Sequence, residues 1–108
     1  MGIINSSNIK VLKNNKDLNE YIKKSREAIM KKEYSKAKLL LKEALFLDSS
    51  NAEIENLLGV IEELLNNKKL AQNYYRAALA FDSTYIPAEN NLKRISLDNS
   101  GIYKIDLG

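Results

Sequence analysis

Residues 37–49, AKLLLKEALFLDS, and residues 71–83, AQNYYRAALAFDS, lie thirty-four positions apart and align without a gap. Ala37/Ala71, Ala44/Ala78, Leu45/Leu79, Asp48/Asp82 and Ser49/Ser83 are identical, and Lys42/Arg76, Leu41/Tyr75, Leu47/Phe81 and Ser50/Thr84 are like-for-like replacements. In both stretches apolar residues recur three and four apart, which puts them on one face of a helix, and each helix stops at its Asp. Repetition at this period is the mark of stacked helical units.

Working outward, residues 18–51 and 52–85 become two units of two helices each. The first helix of unit one is expected from the Asp17/Glu20 capping pair to about Lys32, with Tyr21, Ile22, Ser25, Ala28 and Ile29 on one face. Ser35 is the expected cap of the second, which carries Ala37, Leu40, Leu41, Ala44 and Leu45. In unit two the Ser50/Glu53 pair opens a helix bearing Ile54, Leu57, Leu58, Val60 and Ile61, and Asn66-Asn67 breaks it. Leu70, Ala71, Tyr74, Tyr75, Ala78 and Leu79 line the fourth helix. Pro87, the only proline, suits the first turn of a fifth helix from Ile86 to Leu97, where its missing N–H costs nothing. Small residues at Ala37, Ala44, Ala71 and Ala78, facing Ser25 or Gly59, let paired helices approach closely.

Composition bounds the chemistry. The 108 residues include no Cys, His or Trp, which removes thiol and imidazole catalysis and Cys/His metal sites. No enzyme, cofactor or metal site is expected. The adjacent acids Glu62 and Glu63 diverge on a helix and have no evident second catalytic group. No apolar run approaches the ~20 residues needed to cross a bilayer, and no signal peptide is evident, so a cytoplasmic protein is expected. Lys outnumbers Arg 14 to 3 beside thirteen Asn, the bias of an A+T-rich bacterial genome.

Net charge is +3, carried by Lys10, Lys13 and Lys16 of an N-terminal arm, residues 1–16. Residues 18–51 sum to +3 and residues 52–85 to −2. Lysines 31, 32, 36, 38 and 42 are interleaved with Glu27, Glu33 and Glu43, the pattern of a solvated helix surface rather than a nucleic-acid footprint. Neither nucleic acid nor membrane is an expected partner. The opposite signs of the two units favour self-pairing, and a homodimer is a candidate state, although exposed pairs contribute only ~0–1 kcal/mol each.

The repeats resemble the tetratricopeptide repeat family. Unit two matches its signature at Leu58-Gly59, Ala71 and Tyr75, with Glu55, Glu62 and Ser83 where the family has an aromatic, Tyr and Pro. Unit one matches at Tyr21, Ala37 and Ala44, with Lys24, Ser25, Ala28, Leu41 and Ser49 at the departures. The resemblance implies an all-α, right-handed α-solenoid of helix-turn-helix repeats with five main helices, and a repeat domain over residues 17–98. Residues 86–98 would be the capping helix, with Asn90, Asn91, Lys93 and Arg94 as its polar outside.

It further implies a non-catalytic protein-protein interaction module with a shallow concave groove for a peptide or amphipathic helix. The groove residues so implied are Ile22, Arg26, Ile29, Leu57, Val60, Leu64, Asn90, Asn91 and Arg94. The resemblance also puts Asn19, Lys23, Met30, Glu53, Asn56 and Glu63 on the inner wall. The family's carboxylate clamp falls on Ile22, Arg26, Leu57, Pro87 and Asn91, so most of it is missing. On this reading Ile22, Ile29, Leu57, Val60 and Leu64 form an apolar strip flanked by the cations Arg26 and Arg94, or else part of the core. Two units and a cap are few for a solenoid, which would leave an apolar end near Tyr21, Ile29 and Leu40, coverable by Ile9, Val11 and Leu12 of the arm or by a second copy.

After Asn99-Ser100-Gly101 the pattern changes: Tyr103, Ile105 and Leu107 alternate with Lys104 and Asp106. Such a tail, residues 99–108, either frays or docks on its own groove or a twin's, where it would compete with a partner.

Overall fold

A computed structural model describes residues 14–97 and 105–108, with side chains from residue 17. The arm residues Ile9, Val11 and Leu12, and Tyr103 of the tail, lie outside the described residues. The described chain is all-α: α1 (Asn14–Met30), α2 (Tyr34–Leu47), α3 (Ala52–Leu64), α4 (Lys68–Phe81) and α5 (Ile86–Ser96). Residues 105–108 follow without helix or strand.

α1 packs mainly on α2 and α3 mainly on α4, forming two antiparallel helical hairpins; α2 bridges to α3, and α4 to α5. The odd helices also touch one another, so α1, α3 and α5 form one layer with α2 and α4 behind it. The thirty-four-residue period extends to the backbone. Lys32 and Asn66, at equivalent positions, end the first helix of each hairpin with φ of 64° and 68°. Asp48 and Asp82 end the second helix in the same extended conformation, and each carboxylate accepts the amide of the residue two further on, Ser50 or Thr84. That closure accounts for the shared Asp in both sequence blocks: the short side chain satisfies an amide that the helix has released.

Three expected caps are not the caps. α1 opens at Asn14, leaving Asp17 inside its first turn, where a carboxylate still complements the helix dipole. α2 starts after Glu33 with no side-chain cap, so Ser35 lies within the helix. α3 is capped by Asn51, not Ser50: its Oδ1 accepts the Ile54 amide at 3.1 Å while its Nδ2 donates to Asp48 at 3.1 Å. Asn51 is preferred because it serves both the incoming helix stop and the outgoing helix start.

One main core runs through both hairpins. Ala37, Leu41, Ala44, Ala71 and Tyr75 from the back layer meet Ile22, Ile29, Ile54, Leu57, Val60 and Ile61 from the front layer, all essentially buried. Ser25 is fully buried and satisfies its hydroxyl by donating to the Ile22 carbonyl at 2.7 Å. The expected exposed end is not found at Ile29, which is buried, or at Tyr21 and Leu40, which pack half-buried on the core. The most exposed large apolar side chains include Met30, Leu39 and Phe46. No described helix is long and apolar enough to cross a membrane.

Candidate functional site

The site is built on the front layer, where three asparagines converge. Asn56 on α3 and Asn91 on α5 are completely buried, and Asn91 Nδ2 donates to Asn56 Oδ1 at 2.9 Å. Two buried amides are costly unless their remaining donors and acceptors find partners. Their partners are the main chain of the tail. Asn91 Oδ1 accepts the Asp106 amide at 2.8 Å, Asn91 Nδ2 donates to the Asp106 carbonyl at 2.8 Å, and Asn56 Nδ2 donates to the same carbonyl at 3.0 Å. Both main-chain groups of one residue are thus read by side chains that do not see its identity.

The flanks add further contacts. Arg26 on α1 donates through Nε to the Leu107 carbonyl at 3.0 Å and pairs with Glu53 of α3. Asn90 donates to the Asp106 carboxylate at 3.1 Å. Ile105 and Leu107 pack on the main core and share with Ile29, Met30, Lys32, Tyr34, Val60 and Leu64 a cleft of about 230 Å³. Tyr85, half-buried before α5, stands beside Gly108 and Arg26; burial and the charge of Glu53 push its hydroxyl up to about 12, so it is neutral.

Behind the asparagines lies an ionic anchor. Arg94 and Glu63 are both buried and form a two-pronged pair, one arm of which measures 2.7 Å. Glu63 also accepts the Tyr75 hydroxyl at 2.6 Å, and burial together with that bond raises the Tyr75 pKa, keeping it a donor. Arg94 donates onward to Asn91 Oδ1 at 3.2 Å. This last contact fixes which end of the Asn91 amide is oxygen, and hence that the oxygen meets the Asp106 amide while the nitrogen meets the carbonyl. Glu62, the neighbour of Glu63, points elsewhere, to Lys38 at 2.9 Å and Asn67 at 2.8 Å, joining α3 to α2 and to the following turn.

The nine residues expected in the groove separate into groups. Arg26, Asn90 and Asn91 hydrogen-bond the tail, and Ile29, Val60 and Leu64 line the cleft beside it. Ile22 and Leu57 are members of the buried core and offer no open wall, because the front helices press their apolar faces against α2 and α4. Arg94 is not a flanking cation but a buried one that orients Asn91, and with Asn91 it does not belong to a polar outside of α5. The family resemblance places Glu63 on the inner wall without a partner and does not include Tyr85; α3 holds no basic residue and Arg94 is thirty-one residues further on, so nothing local marks the pair.

No family model matches the chain, and no solved structure matches it significantly. Over 91 aligned residues the chain is 36% identical to "Uncharacterized protein ycf37" of Porphyra purpurea, an alignment covering 76% of this chain and 53% of that protein. The chain therefore spans about half the length of the curated relative it matches, and the two are distant homologues.

Proposed function

We propose that this chain is a non-catalytic interaction module of the tetratricopeptide type, which takes an extended segment of another protein into the groove formed by α1, α3 and α5. The observation that carries the reading is the double engagement of the Asp106 main chain by Asn91, supported by Asn56. Amides that pair with main-chain N–H and C=O hold a ligand by its backbone, and the neighbouring cleft then grips alternate side chains. The signature positions Gly59, Ala71 and Tyr75, all at the packed interface of the second hairpin, support the family reading.

The test uses full-length Leu107→Asp, in which the tail loses an apolar anchor and leaves the groove open, isotopically labelled and titrated with the hexapeptide YKIDLG, a copy of residues 103–108. Saturable shifts of the Asn56 and Asn91 side-chain amides are expected, and the Asn56 shift is lost when Asn91→Ala is added. Absence of any perturbation at these two amides up to millimolar peptide would sink the reading.

A second reading, a structural homodimer whose groove holds a twin's tail, is favoured by the docked tail itself, since the same contacts can be made between copies. Sedimentation equilibrium separates the two: a mass near 12.3 kDa is expected for the single chain.

A further inference from the structure

Four consecutive residues of the tail meet three kinds of surface, and the demands differ accordingly. At 105 and 107 the surface is apolar, and the open cleft beside Ile105 and Leu107 admits side chains of other shapes. At 106 the main chain is held by amides, and the side chain is required to do two things. One carboxylate oxygen accepts from Asn90 at 3.1 Å, and the other accepts the Gly108 amide at 3.0 Å, closing a turn within the ligand. Asp fits this; Asn would present an N–H to one of the two donors, and Glu is one methylene too long for the i to i+2 closure. At 108 the backbone φ is +86°, and a Cβ there would collide with the Tyr85 hydroxyl and lie 3.4 Å from Arg26. Conformation and space both demand glycine.

We propose that the groove selects an apolar–Asp–apolar–Gly segment, that residues 105–108 are its resident copy of this pattern, and that the partner presents the same pattern and displaces the tail. The proposal rests on the peptide-binding reading above. A tethered occupant acts at an effective concentration on the order of millimolar, so a free peptide of the same sequence competes poorly. Weakening the tail by one residue therefore exposes the affinity of the site. A partner segment wins by filling the cleft more fully than Ile105 and Leu107 do, or by engaging a second surface.

The experiment compares the unaltered chain with full-length Leu107→Asp, whose change lies in the half-buried tail and outside the helices. Fluorescence anisotropy is read with labelled YKIDLG and with YKIDLA, YKIKLG and YKSDSG. Leu107→Asp is expected to bind YKIDLG at least tenfold more tightly than the unaltered chain does, and each altered peptide at least tenfold more weakly. Should Leu107→Asp lose helicity, Asp106→Lys releases the tail at a position that makes no core contact of its own and is read in the same way. Four peptides binding alike would overturn the selection pattern while leaving peptide binding intact. Equal affinities for both chains would overturn the tail as resident occupant. Failure of every peptide on both chains would overturn the groove reading as well. A doubled mass for the unaltered chain that halves in Leu107→Asp would make a second copy's tail the occupant and overturn the partner pattern.

Discussion

Gly59 of α3 lies so close beneath the ring of Tyr75 of α4 that a methyl group on its α-carbon would stand 2.6 Å from Cε1 and 2.8 Å from Cδ1. The equivalent positions of the first hairpin carry Ser25 and Leu41, both fully buried. A small residue and a bulky one are thus exchanged as a pair, and the sum of their volumes sets the hairpin spacing.

Gly59→Ala is therefore expected to destabilise the fold by about 1–3 kcal/mol through overpacking. The double variant Gly59→Ala/Tyr75→Leu should recover most of that loss, less the bond from Tyr75 to Glu63. Urea denaturation followed by circular dichroism measures both; a double variant no more stable than the single one would contradict the volume argument.

Removing the charge of Glu63 strands Arg94, which is buried, and leaves the Tyr75 hydroxyl with a poorer acceptor. Glu63→Gln should cost about 3–5 kcal/mol, the range for breaking one side of a buried ion pair. Glu63→Gln combined with Arg94→Met should cost clearly less than the sum of the single changes, because both charges are then gone together. Strict additivity in chemical denaturation would mean the pair is not coupled.

The two neighbouring asparagines of α5 should behave very differently. Asn91→Ala leaves the Asp106 amide, Asn56 and Arg94 each short of a partner, at about 1–3 kcal/mol for an unsatisfied buried group, and should release the tail. Asn90→Ala removes one exposed contact and should change stability by less than about 0.5 kcal/mol. Hydrogen exchange at the Asp106 amide is the direct measure: fast in Asn91→Ala, protected in Asn90→Ala.

Acid should weaken the contact between α3 and α2 through Glu62. Burial alone would raise its pKa, but the Asn67 hydrogen bond and the bond and charge of Lys38 outweigh it, and the carboxyl sits below the ordinary value. A carboxylate with a depressed native pKa stabilises the fold above its unfolded value of about 4.3, and that stabilisation is lost as pH falls through the native pKa. Asp82, held low by Thr84, titrates in the same window. The Glu62 share is therefore the difference between the unaltered chain and Glu62→Gln. The stability of Glu62→Gln should fall less steeply between pH 5 and pH 2 in urea titrations; parallel curves would remove Glu62 from the acid response.

The helices and their pairing were written in the sequence because they depend on short-range periodicity. Ala37, Ala44, Ala71 and Ala78 marked the packed face of the back layer, and all four are fully buried. Lys32 and Asn66 repeat the same turn thirty-four residues apart, since local backbone preference travels with the repeat. Cap identity was less legible, because Asn51 outcompetes Ser50 through a contact to Asp48 that a linear pattern does not weigh.

The site was legible only as a wall. The family resemblance placed Arg26, Asn56, Glu63, Asn90 and Asn91 on one inner wall. Only the tertiary structure joined Asn91 to Asn56 across thirty-five residues, buried Arg94 against Glu63, and seated Asp106 between them. The physical reason is that a buried amide or guanidinium is defined by the partners that satisfy it, and those partners come from segments whose separation along the chain carries no information about their separation in space. The sequence by itself determined where the chain turns helical and which faces are apolar; the packing of three helices decided which polar groups were left to bind.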